Sequence, residues 1–117
     1  MYAWQQIQKT IEIIEQHLDE NLDIEFLSSE AALSPFYYQK LFKKLVKLSV
    51  MDYIKGRRLA IALEDLKTTN KKIINVALDH GFNSHENFTK CFKEAFHITP
   101  ENYRKNPSAM NIITKPQ

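Results

Sequence analysis

Apolar residues recur through most of this chain at the three- and four-residue spacing that places side chains on one face of an α-helix. Near the N-terminus this spacing predicts an amphipathic helix over 5–20. The apolar stripe of that helix consists of Ile7, Ile11, Ile14 and Leu18. Asp23 is a favourable N-cap for a second helix over 24–31. Within it we expect Phe26 and Leu27 to face the core.

Two longer helices are predicted next. Ser34 is expected to cap a third helix, and Pro35 suits its first position, where a missing N–H costs nothing. The buried stripe of this helix is predicted to be Tyr38, Leu41, Phe42 and Leu45. A fourth helix follows over 50–68. Gly56 within it costs about 1 kcal/mol relative to Ala, which suggests close packing against a neighbour or against a binding partner.

The helical spacing of apolar residues continues in the second half of the chain. A fifth helix is predicted around Ile73 and Val76, with a turn at Gly81. Ser84 is expected to cap a sixth helix, and Thr99 a short seventh. The inward residues of the sixth are predicted to be Phe88, Cys91, Phe92 and Phe96. The predicted fold class is therefore all-α with seven helices.

The chain also repeats itself. Segment 34–44 returns as 84–94 at an offset of 50 residues, with Ser, an aromatic residue, Lys, an apolar residue, Phe and Lys in step. The residues before each Ser match at an offset of 49. Each copy reads as a short helix, a tight turn and a second helix, which is the pattern of a helix-turn-helix unit. Two such units offer two helices to the grooves of DNA.

The repeat predicts the organisation of the chain. We expect a first lobe over 1–49, a linker helix over 50–68 and a second lobe over 69–106. Residues 107–117 are a tail or the start of a further domain. Within them, 111–114 are either the beginning of a strand or a frayed end. The start at Met1, directly before the first helix, predicts that no domain precedes it.

Charge is segregated along the chain. From Glu12 to Glu30 there are seven acidic residues and no Lys or Arg, whereas from Ser34 to Arg58 seven basic residues accompany only Asp52. A basic face is typical of proteins that bind polyanions. The single cysteine, the absence of a signal-peptide pattern and the absence of a long apolar run predict a cytoplasmic protein.

The candidate site residues follow from the helix-turn-helix pattern, in which the second helix enters the major groove and the first braces it. Small residues, Ser28 and Ala77, are expected where the two helices cross. In the first copy the outward side chains are Phe36, Tyr37, Gln39, Lys40, Lys43 and Lys44. In the second copy they are His85, Glu86, Asn87, Thr89, Lys90 and Lys93. Amides bind the adenine edge, Lys reaches guanine acceptors and an aromatic ring covers a thymine methyl. Lys43 and Lys44 lie late in their helix and are expected to contact phosphate.

From Ile7 to Lys105 the chain resembles the AraC/XylS-type transcription regulators. The resemblance is carried by the tract 53–59 in the linker helix, by 81–84 with 88–93, and by Thr99-Pro100 with Tyr103-Arg104. It implies two lobes bound to adjacent major-groove segments on one face of DNA. It assigns base-reading roles to Phe36, Gln39, Lys40, His85, Glu86, Thr89 and Lys90. Backbone or van der Waals contacts to DNA are assigned to Tyr37 and Asn87.

The sequence departs from this family at several positions. The second helix of each unit, which is expected to enter the major groove, is called its reading helix. Ala32 stands in the first turn, and Lys47 and His97 directly follow the two reading helices. The family commonly has Gly at these positions. A left-handed backbone at such residues costs about 1–2 kcal/mol. Lys40 and Lys90 stand where Arg is common, and Lys lacks the rigid fork that binds guanine bidentately.

Double-stranded DNA is the predicted partner. The resemblance also implies RNA polymerase and, in a longer chain, a following ligand-sensing domain. No catalysis, cofactor or metal is expected, because no carboxylate pair, phosphate-binding loop or metal-ligand spacing stands out. The main alternative is a helical protein-interaction module that binds its partner through exposed aromatic residues such as Phe36 and Tyr37. A steep fall of duplex affinity with salt would separate DNA binding from that alternative.

Overall fold

The computed structural model describes residues 2–116, so Met1, the first residue of the first predicted lobe, and Gln117, the last residue of the predicted tail, lie outside the described part. Within it the chain is all-helical, as predicted. Its elements are α1 (Ala3–Gln16), α2 (Ile24–Glu30), α3 (Pro35–Val46), α4 (Val50–Thr68), α5 (Ile73–Asp79), α6 (His85–Phe96) and α7 (Pro100–Lys105). Residues 111–114 have no regular secondary structure, which excludes the strand alternative. No helix in residues 2–116 combines the length and apolar character needed to cross a membrane.

The chain forms two compact units that divide within α4. The first extends to Lys55 and includes the last residues from Lys115, and the second is Gly56–Thr114. In the first unit the apolar stripe of α1 is buried, together with Tyr38, Phe42 and Tyr53. The three rings meet edge-on, with centroids 5.9 and 5.7 Å apart, and so fix α3 against the start of α4.

Helix α1 is shorter than predicted. It ends at Gln16 instead of residue 20, and the His17 ring contacts Glu20 at 2.7 Å in the turn that follows. Asp19 and Glu20 would lie at the negative end of the helix dipole, where acidic side chains are unfavourable. Leu18 is nevertheless buried, because the turn directs it into the core.

Two inward assignments were wrong. Phe26 is 48% exposed, and Leu45 in the last turn of α3 is also exposed. A helix of seven residues such as α2 buries only a narrow stripe, and Leu27 and Ser28 occupy it. Phe26 therefore projects from the side of α2.

The second unit has an aromatic core. Its rings contact one another in chain order, tilted or edge-on, with centroids between 4.8 and 5.6 Å apart: Phe82, Phe88, Phe92 and Phe96. Cys91 was predicted to face inward; it packs against the edge of this core and is only partly buried. The Arg104 side chain donates hydrogen bonds from Nε to the Leu66 carbonyl, at 3.0 Å, and from Nη1 to the Lys71 carbonyl. The bond from Nε satisfies the Leu66 carbonyl, which lies in the last turn of α4 and has no partner within the helix.

A charged cluster ties α4 to α5 in the second unit. The Asp65 carboxylate lies 2.8 Å from His80 Nε2 and 3.2 Å from Lys71 Nζ, and its side chain is only 10% exposed. Burial acts to raise the pKa of Asp65, but the hydrogen bonds from His80 and Lys71 outweigh burial and lower the pKa below its usual 3.8. The Lys71 ammonium also contacts Asp79, at 3.3 Å.

Gly56 explains how the tail packs in the second unit. A Cβ at this position would lie 2.5 Å from Cγ1 of Ile113, which is too close for any ordinary contact. Arg57 Nη1 donates a hydrogen bond to the Ile113 carbonyl, at 2.7 Å. The glycine in α4 is therefore the point at which the Ile113 side chain crosses the helix.

Candidate nucleic-acid interface

The structure contains the predicted repeat as two helix-turn-helix units of matching lengths. The bracing helices α2 and α5 each have 7 residues, and the following helices α3 and α6 each have 12. The predicted crossing residues Ser28 and Ala77 are both buried. Their carbonyls accept hydrogen bonds of 3.0 Å from the N–H groups of Leu33 and Phe82, so both turns close in the same way.

Left-handed residues stand at corresponding places in the two units. Ala32 has φ 59° in the first turn, where the second turn has Gly81 at φ 87°. Lys47 and His97 end α3 and α6 with φ 74° and 61°. Three of these four residues carry a Cβ, so the first turn and both C-caps hold an unfavourable backbone.

Helix α3 is fixed at its start and along its buried side. The Ser34 hydroxyl accepts a 3.2 Å hydrogen bond from the N–H of Tyr37, and Pro35 begins the helix. On the buried side the Tyr38 hydroxyl donates to Thr10 Oγ1, at 2.8 Å. Burial raises the pKa of Tyr38 to about 12, although the Thr10 bond acts in the opposite direction. The phenol therefore stays neutral and serves as a brace between α1 and α3.

The outward residues of α3 form one surface. Phe36 is 77% exposed and Tyr37 50% exposed. Gln39 folds back, so that its Nε2 donates a 3.1 Å hydrogen bond to the Pro35 carbonyl. Except for Tyr37, the predicted residues border an open hollow between α3 and the start of α4: Phe36, Gln39, Lys40, Lys43 and Lys44.

The outward residues of α6 are more constrained. Ser84 caps the helix by accepting a 3.0 Å hydrogen bond from the N–H of Asn87. The Asn87 amide donates to Asn83 Oδ1, at 3.2 Å. His85 Nε2 lies 3.1 Å from a carboxylate oxygen of Glu101 on α7. Both polar groups thus have partners on the protein before any DNA is bound.

Thr89 differs from its neighbours on the outward side of α6. Glu86, Lys90 and Lys93 are exposed, whereas Thr89 Oγ1 is buried and has no hydrogen-bond partner within residues 2–116. Reading a base through this hydroxyl would require the side chain to rotate. The sequence pattern placed Thr89 on the correct turn of the helix but could not show which of its atoms is accessible.

Two residues beside the reading helices were not predicted from the sequence. Met51 borders the hollow next to α3, and Glu101 contacts His85 next to α6. Both lie in the first turn of the helix that follows a reading helix. The offset of 50 that relates Ser34 to Ser84 also relates Met51 to Glu101, so extending the repeat would have identified them.

Metal binding has no visible basis in the described chain. In residues 2–116, no three His, Cys, Asp or Glu side chains lie together in a way that could hold a metal ion.

Comparison with known proteins decides the family. A model described as "Helix-turn-helix domain" matches residues 27–106. The regulatory protein SoxS of Escherichia coli (strain K12) is 35% identical over 98 residues, covering 84% of this chain and 92% of SoxS. The chain belongs to the AraC/XylS-type helix-turn-helix family. Members of this family are DNA-binding transcription regulators and not a class of enzymes, and the chain is a sequence-specific DNA-binding regulator of this kind.

Further proteins are similar to this chain in sequence or in fold. The uncharacterized HTH-type transcriptional regulator YbfP of Bacillus subtilis (strain 168) is 41% identical over 104 residues, which are 89% of this chain but only 35% of YbfP. An AraC-type regulator from Chromobacterium violaceum shares the fold, with TM-score 0.80 and 24% identity over 91% of this chain and 97% of that one. The DNA-binding domain of AdpA, solved in complex with a target DNA, has TM-score 0.81 at 22% identity over 88% and 97%.

Proposed function

We propose that this regulator binds duplex DNA by inserting α3 and α6 into two adjacent segments of the major groove. The observation that carries the proposal is the duplicated unit, in which a bracing helix and a tight turn present a capped helix with a polar outward face. An α-helix of this kind fits the major groove, which is about 12 Å wide. The fold shared with the DNA-bound domain of AdpA supports this mode of binding.

In the first groove we assign base reading to the first half of α3. Phe36 is exposed and can cover a thymine methyl, Gln39 can bind the adenine edge and Lys40 can reach guanine acceptors. Gln39 must first release its bond to the Pro35 carbonyl. Lys43 and Lys44 in the last turns are assigned to phosphate, which fixes register and not sequence. Tyr37 is assigned to backbone contacts.

In the second groove α6 presents a mixed surface. We assign base contacts to His85, Glu86, Thr89 and Lys90. Lys93 in the last turn is assigned to phosphate, and Asn87 to a van der Waals or backbone contact. Glu86 can accept a hydrogen bond from cytosine N4, and it also suits the positive end of the helix dipole.

The wider setting belongs to the same proposal. We propose that the chain is organised as two helix-turn-helix lobes joined by the linker helix α4, and that it acts on double-stranded DNA in the cytoplasm without catalysis. RNA polymerase is the proposed further partner, and a ligand-sensing domain is proposed for any longer form of the chain. The greater length of YbfP is consistent with such an extension.

Two substitutions on α3 test the division between reading and anchoring. Gln39→Ala should relax the preference at one base position, at a cost of about 1–3 kcal/mol there. Lys44→Ala should weaken binding to all sequences alike and lower the slope of log affinity against log salt by about one unit. Sites selected from a random duplex pool, followed by titrations at several salt concentrations, measure both effects.

Lys9, which is exposed on α1, provides the matched control. Lys9→Ala removes a charge outside the reading helices and should leave both base preference and salt slope close to those of the unsubstituted chain. If Lys44→Ala changed the preferred sequence, its assignment to phosphate would be wrong. Binding that does not depend on salt would overturn the DNA-binding mode as a whole.

A further inference from the structure

The hollow beside α3 has an apolar floor and a basic rim. It has a volume of about 670 Å³ and lies within the first unit, between α3 and the first turn of α4. Phe36 and Met51, which are 77% and 49% exposed, face it together with Val50. Volumes of about 300–1,000 Å³ with mostly apolar walls are typical of sites for small molecules. Exposed apolar patches of this kind mark binding surfaces.

Its charge restricts what can occupy it. Lys40, Lys43 and Lys44 border the hollow, and none of them forms an ion pair with a carboxylate in the described part of the chain. Lys side chains lay their methylene stems along apolar surface and keep the ammonium in water. The stems therefore extend the apolar wall while the charged ends form its rim.

The second copy of the repeat keeps two of the three rim lysines, as Lys90 and Lys93, but lacks the apolar floor. The residues that correspond to Phe36 and Met51 at an offset of 50 are Glu86 and Glu101. Two carboxylates thus stand beside α6 where two apolar side chains stand beside α3. The apolar, basic hollow is a special feature of the first copy and is not required by the helix-turn-helix fold.

We propose that this hollow binds a dissolved amphipathic carboxylate, with the apolar body of the ligand on Phe36 and Met51 and its carboxylate at the lysine rim. Such a ligand would cover Lys40 and Lys43, so it would compete with DNA for the outward face of α3. Only this competition rests on the DNA-binding mode proposed above; the binding of the carboxylate does not. The ligand would therefore lower the DNA affinity of the chain by occupying the surface of its first reading helix.

The test uses octanoate as the probe, at concentrations at which it does not form micelles, with the ¹⁵N-labelled chain of residues 1–117. Acetate has the same charged group without the apolar body, and octan-1-ol has the body without the charge. Octanoate should bind one per chain about tenfold more tightly than either, because only it uses both floor and rim. The NMR signals that shift should belong to residues around the hollow. Octanoate should also raise the apparent dissociation constant for duplex DNA.

Two matched variants locate the site. Met51→Gln keeps the length of the side chain but removes apolar surface from the hollow, and it should weaken octanoate binding about threefold or more. Leu78→Gln changes an equally exposed residue, 51% accessible on α5 in the second unit, and should have no effect. Equal losses in the two variants, or octanoate binding no tighter than acetate, would overturn the proposal. Binding to anionic phosphatidylglycerol vesicles without binding to dissolved octanoate would also overturn it.

Measuring DNA affinity in the absence of octanoate separates the two proposals. If octanoate binds in the hollow but the chain has no affinity for duplex DNA, the DNA-binding mode fails and the carboxylate site stands. If DNA binds and octanoate does not, the carboxylate site fails alone. If both bind without competing, the regulatory part of the inference is wrong.

Discussion

Residues other than Gly that adopt a left-handed backbone conformation lower the free energy of unfolding of this chain. Ala32 adopts φ 59° in the first turn, where the second turn has Gly81. The conformation costs an L-residue about 1–2 kcal/mol, and Gly recovers it at the expense of greater chain entropy when unfolded. Ala32→Gly should therefore raise the free energy of unfolding by about 0.5–1 kcal/mol in urea titrations.

Ala95 supplies the control for that substitution. It is exposed in the last turn of α6, where the backbone is helical, so Ala95→Gly should lower the free energy of unfolding, by at most about 1 kcal/mol. Opposite signs for the two changes would assign the gain at Ala32 to its backbone conformation. A loss at Ala32 would show that its Cβ makes contacts worth more than the strain.

Residue-level prediction from sequence succeeded where local chemistry decides the outcome. Ser34, Ser84 and Thr99 cap their helices as expected, because an N-cap needs only a side-chain oxygen and the next turn of backbone. The contact between His85 and Glu101 joins residues 16 positions apart and depends on how α7 packs, which no local pattern encodes. The same is true of Ile113 over Gly56.

The two reading helices differ in charge. Helix α3 carries Lys40 and two further lysines with no acid on its outward face, whereas α6 carries Lys90 and Lys93 beside Glu86 and Glu94. Each acid offsets part of the attraction to phosphate. Lys40→Ala should therefore cost more affinity than Lys90→Ala when both are measured on one duplex at one salt concentration. A larger loss of affinity from Lys90→Ala would show that α6, and not α3, contributes more of the attraction to phosphate.

The link between α4 and α5 makes the second unit sensitive to acid. Because the pKa of Asp65 is lowered in the folded chain, its contribution is fully present above the unfolded pKa near 4 and is lost as pH falls through the folded pKa. At pH 7 Asp65→Asn should lower the free energy of unfolding by about 1–3 kcal/mol, since it removes charged hydrogen bonds to His80 and Lys71.

Urea titrations of the Asp65→Asn variant at pH 7 and pH 3 check the sign of this effect. The difference from the unsubstituted chain should shrink at pH 3, which lies below the unfolded pKa near 4, because the contribution of a carboxylate with a lowered pKa decreases as pH falls toward that pKa. Asp79→Asn is the comparison, because Asp79 also contacts Lys71 but is half-exposed, and such surface pairs contribute little. A difference that is the same at both pH values would exclude the carboxylate charge as its source.

At the level of the helices, prediction was accurate for α4 and less so for α1. The bounds Val50–Thr68 agree with the expectation because the apolar spacing is sustained and Thr69-Asn70 breaks it. The apolar stripe of α1 continues to Leu18, so it gave no signal that the helix ends at Gln16. An apolar residue that is buried in the turn after a helix gives the same sequence pattern as an apolar residue in one further helical turn.

The whole chain carries both reading helices, joined by the continuous helix α4. No second copy is required to present two helices to DNA. We therefore expect one chain to bind one asymmetric site, and sedimentation with a duplex of about two turns should give a one-to-one complex. Scrambling one half of the site should reduce affinity while keeping that stoichiometry. A complex that contains only pairs of chains would contradict this expectation.

The duplicated backbone has a genetic consequence. Both copies close their turns with the same hydrogen bonds and keep the same helix lengths, while most of their outward side chains take no part in the core. A codon change on the outward face of α6 can thus alter what is recognised in one groove without unfolding either copy. We therefore expect that, among the promoters that such a protein regulates, the half of each operator bound by α6 can change in sequence while the half bound by α3 stays the same.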